Sequence, residues 1–120
     1  MQLLMAALLA TTAFSEINLV EPNEDAMRGA FATDLSQSVR SALAYVAQTG
    51  GAEVLARIRA ARTDEFEIRA FRKIECRPSD RRPGHTCDFA VEIDTVAGPI
   101  VRTIAGRFFV GPCGLAYEEA

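Results

Sequence analysis

The chain has no tryptophan, a single histidine (His85) and three cysteines in 120 residues, with no Cys-x-x-Cys spacing among them. Cys76, His85, Cys87 and Cys113 are the right residue types for structural zinc, but that spacing matches no finger or ribbon, so no metal is expected. Basic residues are not in surplus. Thirteen Lys and Arg stand against 16 Asp and Glu, a net charge of −3. Nucleic-acid binding usually needs a basic stripe, and the one basic cluster, Arg77, Arg81 and Arg82, is interrupted by Asp80, Pro78 and Pro83. It reads as a solvated loop. Long apolar runs are also missing: Leu3 to Ala10 is too short to cross a bilayer. A phosphate cradle is absent, because Gly50-Gly51 has no preceding strand and no Lys or Ser in P-loop spacing. No cofactor is indicated.

The apolar fraction, 49%, suffices for the core of one small domain. Residues 1–15 form a candidate signal peptide. A short apolar run, with no Lys or Arg ahead of it, is followed by Ala13-Phe14-Ser15, which supplies small residues where a signal peptidase reads, so cleavage before Glu16 is one expectation and a core helix or strand of the mature domain the other. No cysteine follows for lipid attachment. Residues 16–120 would then be a single α+β domain.

Cys76 and Cys87 carry the most information. Phe66, Ile68, Ile74 and Cys76 alternate in one phase, and Cys87, Phe89, Val91 and Ile93 in another. In an antiparallel hairpin with Cys76 opposite Cys87, facing residue numbers sum to 163, Ile74 faces Phe89, Arg72 faces Val91, and both sulfurs leave the same side of the sheet. A disulfide there implies an oxidising compartment and hence a periplasmic or secreted protein. Closing a loop of this size would add on the order of 3 kcal/mol.

Upstream, Pro22-Asn23-Glu24-Asp25 reads as a helix start. Met27, Phe31, Leu35, Val39, Leu43 and Val46 follow at helical spacing. Thr49-Gly50-Gly51 stops that helix, and a shorter one over Ala52 to Ala61 buries Val54, Leu55 and Ile58. Three strands follow: Glu65 to Cys76, Thr86 to Thr95, and Ile100 to Val110. A tight turn at Ala97-Gly98 sets second- and third-strand partners to sum to 195, so that Val91 faces Ile104. Leu115 to Tyr117 could add a short fourth strand.

On the outer face this register sets Asp88 opposite Arg107, Arg69 opposite Asp94 and Glu75 opposite Asp88, with Arg107 bridging the last two. Phe71 and Phe109 also fall there, as ordinary exposed apolar residues, as residues covered by the C-terminal tail, or, being two aromatics on a charged face, as a candidate contact surface. On the inner face Arg72 and Arg102 stand among apolar residues. Buried, they would need acidic partners or a bound anion; otherwise they snorkel at the sheet rim. Asp88, Glu92 and Asp94 alternate on the outer face, away from any helix–sheet pocket. No catalytic constellation emerges, and Cys113 is left without a partner.

A long helix, a short helix and then antiparallel strands resembles the cystatin-like and ketosteroid-isomerase-like folds, in which a curved sheet wraps a long helix. Phe71-Arg72-Lys73-Ile74-Glu75-Cys76 followed by Gly84-His85-Thr86-Cys87-Asp88-Phe89 is similar to a pattern of small exported bacterial proteins of unknown function. The resemblance covers about a third of the chain and concerns a stapled hairpin, not an activity. The extra helix and strands of the isomerase-like enzymes are absent. The expected fold is thus α+β and cystatin-like, with two helices on a curved antiparallel sheet of three to four strands. The expected role is a non-enzymatic periplasmic or secreted accessory domain that binds a protein partner or self-associates. The alternative is a small-ligand or minor isomerase-like domain whose helix–sheet pocket holds an anion on Arg72 or Arg102.

Overall fold

A computed structural model describes residues 19–120. The candidate signal peptide lies outside the described residues. Among the described residues, two helices, α1 (Glu24–Thr49) and α2 (Gly51–Ala61), precede four strands: β1 (Phe66–Pro78), β2 (His85–Thr95), β3 (Gly98–Gly111) and β4 (Gly114–Glu119). The strands form one antiparallel sheet in chain order, and α1 packs across it. The architecture is α+β, a helix on a four-stranded antiparallel sheet, consistent with a cystatin-like fold.

Helix α1 begins where an N-cap residue is available: the Asn23 side chain accepts a 2.8 Å hydrogen bond from the Ala26 N–H, and Glu24 and Asp25 occupy the first turn. It ends at Gly50, whose N–H donates to the Val46 carbonyl, and Gly51 turns the chain with a φ of +79°.

The core is small and aromatic. Met27, Ala30 and Phe31 from α1 meet Phe71, Cys87, Phe89, Val91, Phe108 and Tyr117 from the sheet. Phe31 sits edge-on to Phe89 and Tyr117, at 5.2 and 5.4 Å, while Phe71 stacks on Phe89 at 4.8 Å. Such offset and edge-to-face pairs add to the area they bury. His85, read from the sequence as a loop residue, is instead buried at the start of β2.

The register differs from the expected one in two ways. At the disulfide end β1 and β2 pair as expected, with Cys76 opposite Cys87 and Glu75 opposite Asp88. Irregularities between Ile68 and Ala70 and between Lys73 and Glu75 then shift the pairing by one residue each. The stretch between them is turned over. Phe71, not Arg72, faces Val91, and Lys73, not Ile74, faces Phe89. Phe66, Ile68, Phe71, Lys73 and Cys76 thus share the helix-facing side, while Arg72 and Ile74 are exposed.

Between β2 and β3 the turn residues are Val96 and Ala97, one position earlier than expected, and partners sum to 193 (Thr95 with Gly98). A shift of two keeps every side chain on its expected face, so the core set survives, but Val91 faces Arg102 and Phe89 faces Ile104. Asp88 stands opposite Ala105, not Arg107.

Candidate functional site

The sulfurs of Cys76 and Cys87 are bonded at 2.07 Å, with Cα atoms 4.0 Å apart. The bridge closes the loop at 79–84, where the Ser79 N–H donates to the Gly84 carbonyl and Ser79 Oγ lies 3.1 Å from Thr86 Oγ1. Gly84 has a φ of +96°, and a Cβ there would stand 2.2 Å from the Phe108 carbonyl oxygen, so the loop packs on β3 in a way only glycine permits. Cys113 is a free, exposed cysteine at the β3–β4 turn. Among the described residues, no three His, Cys, Asp or Glu side chains converge as a metal-binding group.

The expected contact pair is not a pair. Phe71 is buried in the core, because the β1 irregularities carry it inward, and it offers nothing to a partner. Phe109 does lie away from the core, but it is half-buried, with the Arg107 guanidinium 3.9 Å above its ring. Arg107 is held by Glu118, at 3.2 Å, and by the Pro83 carbonyl; it does not bridge Glu75 and Asp88. Arg77 reaches Asp88 at 3.4 Å instead, and Arg69 reaches Asp94 at 3.1 Å although Glu67, not Arg69, stands opposite Asp94 in the register.

The expected anion contacts are likewise dispersed. Arg72 and Arg102 are both exposed, and Arg102 donates to the neighbouring Val101 carbonyl. The basic residue of β1 that contacts the segment leading into α1 is Lys73. It binds Glu21 and the Pro22 carbonyl through Nζ, while its backbone N–H donates to Glu24 at 3.0 Å. This hydrogen bond from Lys73 holds the Glu21 carboxyl below its ordinary value. Together with Arg28, which donates to the Ile68 carbonyl at 2.7 Å, these contacts pin the start of α1 along β1. They also occupy backbone groups of that edge strand, which would otherwise be open to pairing with another chain.

Two features of the structure were not legible as sites in the sequence. The first is an arm. Between Phe31 and Phe71 no residue is buried. The second half of α1 and all of α2 carry an apolar stripe (Val39, Leu43 and Val46, then Leu55 and Ile58) that is only half covered, and Tyr45 and Val54 are exposed. Arg40 and Arg59 flank that stripe with no salt bridge among the described residues.

The second is a cleft of about 410 Å³ between α1 and the β3–β4 turn. Asp34 and Gln37 line it from the helix, and Tyr117, Leu115, Pro112 and Phe109 from the sheet. Burial, then the nearby Glu119 charge, pushes the Asp34 carboxyl up from its ordinary value. Burial, Glu119 and Asp34 together push the Tyr117 phenol up to about 12. Its hydroxyl is enclosed and has no hydrogen-bond partner among the described residues. Neither Arg72 nor Arg102 lines this cleft.

No protein-family model, curated protein or solved structure matches the chain. No described helix is long and apolar enough to cross a membrane.

Proposed function

We propose that this chain is a non-enzymatic accessory domain of an oxidising compartment, periplasmic or secreted, and that it binds a protein partner through the helical arm. The observation that carries this reading is the absence of any buried residue from Ala32 to Ala70. An isolated 11-residue helix is marginal in water, since helices in proteins draw most of their stability from packing an apolar face. Helix α2 has such a face in Val54, Leu55 and Ile58, of which Leu55 and Ile58 are only half-buried and Val54 is exposed. A partner with an apolar ridge rimmed by carboxylates would cover the stripe and meet Arg40 and Arg59. The disulfide supports the compartment, because such bridges persist where thiols are kept oxidised. The arm replaces the Phe71 and Phe109 face as the contact surface.

The test is a pair of variants expressed in the native host. Leu55→Asp with Ile58→Asp should leave the thermal unfolding of the sheet in place and release the partner that co-purifies with the natural chain. Phe109→Asp should keep that partner. Retention by the arm variant, or loss by the Phe109 variant alone, would move the contact surface elsewhere.

A further inference from the structure

Besides the arm, the described residues carry a second exposed apolar surface, at the tip of the β2–β3 hairpin. Val96 and Val101 are 59% and 64% exposed, and Pro99 between them is exposed too. The backbone does not ask for a valine there. The residue of this turn with a positive φ is Gly98, at +116°, so Asn, Asp or Ser at position 96 would suit both the turn and water. Carboxylates rim the ridge. Glu92 stands directly opposite Val101, Asp94 opposite Pro99 and Glu67 opposite Asp94, all on the face turned away from α1. Arg69 takes Asp94, but Glu67 and Glu92 make no salt bridge among the described residues, and Arg72, one pair further from the tip, reaches neither. Arg102 leaves from the helix-facing side, opposite Val91.

The arm carries the reverse charge. Between residues 36 and 61 it has Arg40, Arg57 and Arg59 against Glu53 alone. Glu53 is taken by Arg57, while Arg40 and Arg59 stand beside the apolar stripe with no salt bridge among the described residues. The chain thus holds both halves of one contact, an apolar stripe flanked by arginines and an apolar ridge rimmed by carboxylates. The base of the arm and the hairpin tip are neighbours: only residues 62–65 join α2 to β1, and Arg62 lines one open groove with Asp94, Thr95 and Val96. An arm and a tip so placed meet twice across a single two-fold axis, each arm on the other copy's tip, which closes the assembly at two chains.

We propose that two copies of this chain cover each other's arm in this way when no other partner is bound, so that the arm is masked in concentrated solution. This rests on the reading of the arm as a contact surface and adds what regulates it. Each contact is small, a helix face on a hairpin tip, which places the dimer in the weak, concentration-dependent class. In dilute solution the arm is bare.

The experiment is sedimentation equilibrium of the oxidised chain, with Cys113 alkylated to prevent disulfides between copies, from about 5 to 500 µM. The natural chain should be a monomer at the low end and form a dimer, and nothing larger, with a Kd of about 0.1 mM. Raising NaCl from about 0.05 to 0.5 M should weaken that dimer severalfold. Two charge-reversed variants assign the surfaces. Arg40→Glu with Arg59→Glu reverses the arm, and Glu67→Lys with Glu92→Lys reverses the tip. Each variant alone should dimerise at least about tenfold more weakly, because like charges then meet. An equimolar mixture of the two should regain a Kd within about threefold of the natural value, since each arm again finds a tip of opposite charge, and that recovery shows both to be folded. A natural chain that stays monomeric at about 500 µM, or grows past the dimer, would overturn the proposal. So would a tip variant that dimerises like the natural chain, which would set arm against arm, or a mixture of variants of natural Tm that does not recover. The arm reading is tested separately by Leu55→Asp with Ile58→Asp in the native host: if that variant loses its partner while the natural chain stays monomeric, the self-association alone fails.

Discussion

The ring of Tyr117 occupies the space in which a side chain on Gly106 would stand: a Cβ at Gly106 would come within 2.1 Å of Tyr117 Cε2. The two strands β3 and β4 approach through this contact, and the ring then reaches Phe31, Phe89 and Phe108. Gly106→Ala should therefore cost about 1–3 kcal/mol, the range for overpacking a filled core. Tyr117→Leu in the Gly106→Ala background should cost less than the sum of the two single changes, because the clash disappears with the ring. Urea unfolding of the four proteins measures the coupling.

The Cys76–Cys87 bridge staples the edge hairpin on the helix-facing side of the sheet. Replacing both residues by serine should lower stability by about 3 kcal/mol if the loop-entropy account holds, read as a lower midpoint in denaturant. Alkylation before reduction should label Cys113 alone, and alkylation after reduction all three cysteines, each state being read from intact mass.

The acid limb of stability should carry the Lys73 contact. Hydrogen bonding from Lys73 lowers the folded-state pKa of Glu21 below 4.5, and Arg107 does the same for Glu118. A group depressed in the folded state contributes stability above its unfolded pKa and loses it as pH falls through the folded value. Stability should therefore decline below about pH 4.5, and Lys73→Gln should flatten that decline. Asp34 has the opposite sign. Its folded pKa is raised from 3.8, so its contribution falls as pH rises through the folded value. Asp34→Asn should stabilise the chain at pH 7 and leave the acid limb set by Glu21 and Glu118 in place.

Much of the architecture could be read from residue patterns because each element carried its own period or cap. Asn23 with Glu24 and Asp25 marked the start of α1, and Gly50-Gly51 its end. The strand-two alternation of Cys87, Phe89 and Val91 fixed both the helix-facing side and the disulfide partner. The β1 face was misread for a physical reason. Each irregularity inserts one unpaired residue, and two of them restore the original phase at both ends while reversing the middle. Nothing in composition marks an inserted residue. The available signal was Phe71 itself, a large apolar side chain out of phase with Phe66 and Ile68.

The β2–β3 turn was placed one residue late, since Val96-Ala97 lacks the turn chemistry that Gly98 advertises. A helix–sheet pocket was among the expectations, but its lining could not be read, because Asp34 and Tyr117 are far apart in sequence and come to one cleft only through the packing of α1 on β4. The arm was misread in the other direction. Helical spacing at Val54, Leu55 and Ile58 implied burial against the sheet, and spacing alone does not say what covers a stripe.

Hydrogen exchange tests the central claim, that the arm is a surface awaiting a partner. In the isolated oxidised chain, amides of Gly51–Ala61 should exchange at close to unfolded-chain rates while those of β2 exchange only through global unfolding. In the complex isolated from the native host, the same helix should slow by at least about a hundredfold as its apolar stripe is covered. Protection of α2 equal to that of β2 in the isolated chain, or no change within the complex, would contradict the account.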